Sequence, residues 1–120
     1  MRGGRLLALV VLALVAACVS ETTEQLDDEP CPEESELTYE NFGGAFFDSH
    51  CQRCHASAAE DRNGAPSSFT FDTVDEVRDH RERIFARAAG ANTSMPPGPD
   101  DDPPEAEREM LAEWLACGAP

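Results

Sequence analysis

The chain has 120 residues, with 24 acids against nine arginines, no lysine, and a net charge of −15. Such a polymer repels phosphate, which argues against a nucleic-acid partner, and its length argues against a multidomain enzyme.

Arg2 and Arg5 precede a continuous apolar run from Leu6 to Ala17. A basic start and a run of about 12 apolar residues have the dimensions of an export signal, whereas a membrane-spanning helix needs about 20. Residues 1–17 are therefore expected to be removed. Residues 18–120 keep 24 acids against seven arginines, a net charge of −17, and only 14 Leu, Ile, Val and Phe residues. That is under the roughly 20% below which a highly charged chain is expected to be disordered. Either the mature chain is disordered, or something other than peptide completes its core.

Leu14-Val15-Ala16-Ala17-Cys18 resembles the lipobox of bacterial lipoproteins, with Val15 where leucine is commoner. The resemblance implies cleavage before Cys18, acylation of Cys18, and a chain anchored to a bacterial membrane rather than spanning it. The plainer reading is an ordinary secretory signal with an incidental cysteine. Both readings export the chain to the periplasmic face or the cell surface, where disulfides form.

Residues 19–37 are acidic and nearly devoid of apolar side chains, so residues 18–38 read as a solvated, self-repelling tether; Cys31 alone interrupts that reading. The folded domain is expected over residues 39–120, all helical, with no strand-like alternation. A first helix is predicted from Tyr39 to His50, capped by Thr38. Phe42, Phe46 and Phe47 form its apolar face, and Gly43 and Gly44 are points of close approach.

Cys51-Gln52-Arg53-Cys54-His55 follows, the C-x-x-C-H attachment signature for c-type haem. At the end of a helix this spacing lets two thiols add to the two vinyl groups of one porphyrin and sets His55 under the iron. Two other chemistries compete. A thiol redox pair lacks a surrounding βαβ pattern. A zinc site built from His50, Cys51, Cys54 and His55 would strain adjacent ligands toward one tetrahedral ion. One covalent haem also supplies missing core: several hundred Å² of buried porphyrin at ~25 cal/mol per Å² is worth on the order of 10 kcal/mol. The second ring nitrogen of His55 needs an acceptor, and the Pro66 carbonyl in Gly64-Ala65-Pro66 is the candidate.

A second helix is predicted from a Thr73/Glu76 capping box to a stop at Gly90, with Val74, Val77, Ile84, Phe85 and Ala88 on one stripe. His80 falls off that stripe and is expected to be solvated. A rigid loop, Asn92 to Asp102, carries Thr93-Ser94-Met95-Pro96-Pro97-Gly98. Met95 is favoured as the sixth iron ligand, because the prolines limit the entropy cost of holding a thioether. Met110, His50 and His80 are weaker candidates. A third helix is predicted from about Pro103 to Ala116, with Asp102 as N-cap and Glu105 closing a box. Its buried face is Ala106, Met110, Leu111, Trp114 and Leu115, and Gly118 ends it.

Together these features resemble the class I, mitochondrial-type c-type cytochromes. Gly43 and Phe47 stand eight and four residues before Cys51, and Leu111-Ala112-Glu113-Trp114-Leu115 resembles the family's last-helix L-x-x-aromatic-L. The resemblance implies a small all-α cytochrome c fold, three main helices around one haem c. It further implies crossing terminal helices with glycine against the aromatic, His55/Met95 ligation, and single-electron transfer by a carrier rather than an enzyme. If those helices cross, Cys31 and Cys117 could meet in a disulfide; two free thiols is the alternative. The family's lysine ring is missing here, so the expected partners are redox proteins with basic patches, met by a monomer. Two rivals remain at this stage. One is a haem sensor or enzymatic subunit with a displaceable sixth ligand; the other is a haem-free metal- or thiol-binding lipoprotein.

Overall fold

A computed structural model describes residues 23–120. The signal at 1–17 and the lipobox ending at Cys18 lie outside the described residues. Within them all regular structure is helical: a 3-10 turn at Leu26–Asp28, a π-helical turn at Tyr39–Gly43, then α1 (Gly44–His50), α2 (Gln52–His55), α3 (Val74–Asp79), α4 (Arg81–Ala88) and α5 (Glu105–Ala116).

The first helix begins where the sequence predicts. The Thr38 hydroxyl accepts from the Asn41 amide, and the Asn41 side chain accepts from Thr38 N–H, a capping box with asparagine as the third residue. The opening turn is wide, because Gly43 N–H reaches back to the Thr38 carbonyl (3.1 Å). Phe42, Phe46 and Phe47 are buried on one face as expected.

The second predicted helix is two. The Thr73/Glu76 box forms, but the chain turns at His80 (φ −107°, ψ 13°) between α3 and α4. Hydrophobic periodicity runs through the break, because Val77, Ile84, Phe85 and Ala88 all reach the same core. Nor is His80 a solvated side chain. Its Nε2 donates to the Ser68 carbonyl (2.9 Å), and its ring stacks on Phe69 at 4.5 Å.

The last helix starts two residues later than predicted. Asp102 does not cap it; that carboxylate accepts from Arg108, and Pro104 takes the cap position without a side-chain bond. Its buried face also differs. Ala106 and Met110 are exposed, whereas Arg108 is 3% exposed beside Leu111, Ala112, Trp114 and Leu115. Gly118 adopts φ +94° and turns the chain back. The Pro120 carbonyl then accepts from Tyr39 N–H (2.7 Å) and Trp114 Nε1–H (3.2 Å), joining the first and last helices.

From residue 23 onward the acidic segment is not a free tether. Leu26 is buried in the core. Glu24 and Asn92 exchange two hydrogen bonds (3.1 and 3.0 Å), and the Ser35 hydroxyl donates to Glu113 (2.6 Å). A disulfide joins Cys31 to Cys117. Composition hides this strap, since one leucine, one cysteine and a few polar pairs are enough to seat it.

Candidate functional site

α1 ends at His50 because Cys51 leaves the helical region (φ −121°), and the short α2 then carries Cys54 and His55. Cys51 and Cys54 are free thiols. They open, with His55, onto a cavity of about 420 Å³ whose wall includes Phe69, Phe71, Ala88, Met95 and Pro97. Close packing pushes the Cys51 thiol up to about 12, chiefly by burial, with Arg108 pulling weakly the other way and Asp101 and Cys54 adding to the rise.

His55 is fixed from two sides. Its ring stacks on Phe71 (4.6 Å between centroids), and Nδ1 lies 2.8 Å from the Phe69 carbonyl. A carbonyl only accepts, so Nδ1 carries the proton, and the neutral ring keeps its lone pair on Nε2 for a metal. The predicted acceptor was Pro66, and here the structure corrects the sequence. Pro66 lines the cavity, but its carbonyl accepts from Phe69 N–H and from Arg62 (both 3.0 Å). Arg62 also donates to the carbonyls of Ala56 (2.7 Å) and Phe69 (3.1 Å), folding the segment after His55 into one rigid piece. Nothing in the local sequence marks Arg62 or Phe69 for these tasks, because the contacts form only once the loop closes.

Four side chains are candidates for the sixth ligand. Met95 lines the cavity and is 39% exposed. His50 lines it too, but both ring nitrogens are engaged, Nδ1 by the Asp101 carbonyl (2.8 Å) and Nε2 by Glu107 (2.9 Å). Met110 and His80 are not part of the cavity wall. The Met95 loop is held from its backbone. Met95 N–H donates to the Arg87 carbonyl (2.8 Å), and its own carbonyl accepts from Arg108 (2.9 Å). The same buried guanidinium donates to the carbonyls of Ala88 (2.7 Å) and Asn92 (3.1 Å).

A c-type haem fits these residues: two unpaired thiols, an imidazole with Nε2 available, a thioether and an apolar wall meet in one space. Zinc fits poorly. Among the described residues no three His, Cys, Asp or Glu side chains converge to hold a metal ion.

Residues 41–115 match the family model described as cytochrome c oxidase, cbb3-type, subunit III. No curated protein and no solved structure matches the chain.

Proposed function

This chain belongs to the cytochrome c oxidase, cbb3-type, subunit III family, and from that membership we propose that it is an exported, lipid-anchored monohaem cytochrome that carries single electrons. The family makes residues 41–115 a c-type cytochrome domain, and haem-based electron transfer with covalent haem c is its chemistry. The finer reading is ours. Residues 1–17 are a lipoprotein signal, Cys18 bears the lipid, and residues 39–120 form a class I domain on the periplasmic or outer face of a bacterial membrane. Among the described residues no helix is long and apolar enough to cross a membrane.

The observation that carries the proposal is the convergence of Cys51, Cys54 and His55 on one largely apolar cavity. Bound there, haem would supply a one-electron Fe(III)/Fe(II) couple. The protein's own work is to hold the imidazole by Phe69 and Phe71, to exclude water with the aromatic wall, and to present the Met95 thioether from a backbone-clamped loop. His/Met ligation and burial both favour a high potential.

The test is an optical spectrum of periplasmically matured protein in both redox states, with haem staining after denaturing electrophoresis. Stain that survives denaturation, and a weak red iron–thioether band in the ferric state that is lost in Met95→Ala, are expected. A folded, colourless product would defeat the proposal. The exposure of Met95 supports one second reading, a sensor with a displaceable sixth ligand; carbon monoxide binding to the reduced wild type would favour it.

A further inference from the structure

Four of the seven arginines in residues 23–120 line the cavity: Arg53, Arg62, Arg83 and Arg87. Two of them are committed elsewhere. Arg53 pairs with Asp101 (3.2 Å), and Arg62 is spread over backbone carbonyls. Arg83 and Arg87 are different. They stand four residues apart on α4, about 6 Å along the axis and on one face. Among the described residues neither guanidinium has an ion-pair or hydrogen-bond partner. Among the described residues, a chain with 24 acids thus leaves two cations of one helix face unmatched at this cavity.

Haem brings a complementary need. Its two propionate groups leave one edge of the ring side by side, and each is an anion. Set into a chain of net charge −15, two further carboxylates are repelled from most directions. An arginine offers each of them a planar fork of donors, which a lysine cannot match in geometry. We propose that Arg83 and Arg87 form a dicarboxylate site that takes the two haem propionates; this rests on the haem reading above. The site neutralises the anions that the group adds and places positive charge near the iron, which favours the ferrous state and raises the potential.

The test compares midpoint potentials of matured wild-type protein with Arg83→Gln/Arg87→Gln, Arg83→Lys/Arg87→Lys and Arg81→Gln. Arg81 sits on α4 but not on the cavity wall, so Arg81→Gln removes the same charge away from the site. The double glutamine variant should favour the ferric form by about tenfold, a potential lower by roughly 59 mV for one electron. The lysine pair should recover most of that shift, and Arg81→Gln should move the potential far less. If the double variant does not accumulate, Arg83→Gln alone is read the same way, since Arg83 is exposed. Unmoved potentials in pigmented variants, or an equal shift from Arg81→Gln, overturn the site. Wild-type protein that matures without pigment overturns the haem reading and the site together.

Discussion

Gly43 meets the six-membered ring of Trp114 so closely that a Cβ on the glycine would lie 2.5 Å from Cζ2 and 2.7 Å from Cη2 of the indole. Trp114 is fully buried and touches Tyr39, Phe42 and Phe47, so it has nowhere to retreat. Gly43→Ala would gain up to about 1 kcal/mol of helix propensity. The overlap is worth more than that, because overpacking a filled core costs about 1–3 kcal/mol. Gly43→Ala should therefore lower the denaturant midpoint of matured protein, whereas Gly64→Ala, with nothing within 4 Å of its Cβ, carries only its backbone strain at φ +80°. Equal stability of Gly43→Ala and wild type would show that the two helices can part.

Arg108 holds the Met95 loop at the carbonyls of Asn92 and Met95 and at Asp102, and the end of α4 at the Ala88 carbonyl, from a position that is 3% exposed. Arg108→Met keeps the side-chain volume but strands the buried carbonyls, each costing about 1–3 kcal/mol. The expected result is a loss of roughly 2–4 kcal/mol and a weakened ferric iron–thioether band, as Met95 loses its backbone anchor. Arg108→Lys should restore part of the stability but less of the band, since an ammonium lacks the fork. A band that is unchanged in Arg108→Met would limit Arg108 to packing.

These two residues mark what was legible in the sequence. Gly43 and Trp114 could be read because a glycine among phenylalanines and an aromatic on the last helix belong to a family pattern. That Cys51, Cys54, His55 and Met95 line one cavity was legible for the same reason, since each sits in a local string. Arg108 was missed because an arginine on an acidic helix reads as surface; only the carbonyls of Ala88, Asn92 and Met95, all from the stretch that ends α4 and opens the next loop, make it a core residue. Met110 was misplaced by the converse error, an apolar residue assigned to the core by type. The seating of residues 23–38 was missed because a handful of long-range contacts leaves no periodic trace.

The Cys31–Cys117 bridge spans a sequence separation of 86 residues, tying the strap to the end of α5. In the chain-entropy model a loop of that size is worth roughly 4–5 kcal/mol. Cys31→Ser/Cys117→Ser should lower stability by up to that amount and loosen residues 23–38, read as faster amide exchange at Glu24, whose N–H donates to Asn92. Haem attachment at Cys51 and Cys54 should be unaffected. Thiol titration of denatured, haem-loaded protein should find neither cysteine free, and two free thiols would remove the bridge.

Acid should weaken the fold through two carboxylates beside the site. Asp72 is held below the ordinary carboxylate range first by the Ser57 side chain and then by Ser57 N–H, which donates to both carboxylate oxygens (3.0 and 3.2 Å). Glu76 is lowered first by the Thr70 hydroxyl (2.7 Å) and then by the Thr73 cap. Groups with lowered folded-state values stabilise fully above the ordinary carboxylate pKa and lose that contribution as pH falls through the lowered ones, so the loss sets in below about 4. Glu29 has the opposite sign. Burial, then repulsion from Glu109 and Glu24, raises it, so its ionised form costs stability at neutral pH and its protonation in mild acid relieves that cost. Urea midpoints from pH 7 to pH 3 should thus rise slightly and then fall. Asp72→Asn should flatten the falling limb, and Glu29→Gln should be more stable than wild type at pH 7 but not in mild acid. An acid limb as steep in Asp72→Asn as in wild type would assign the loss to other carboxylates.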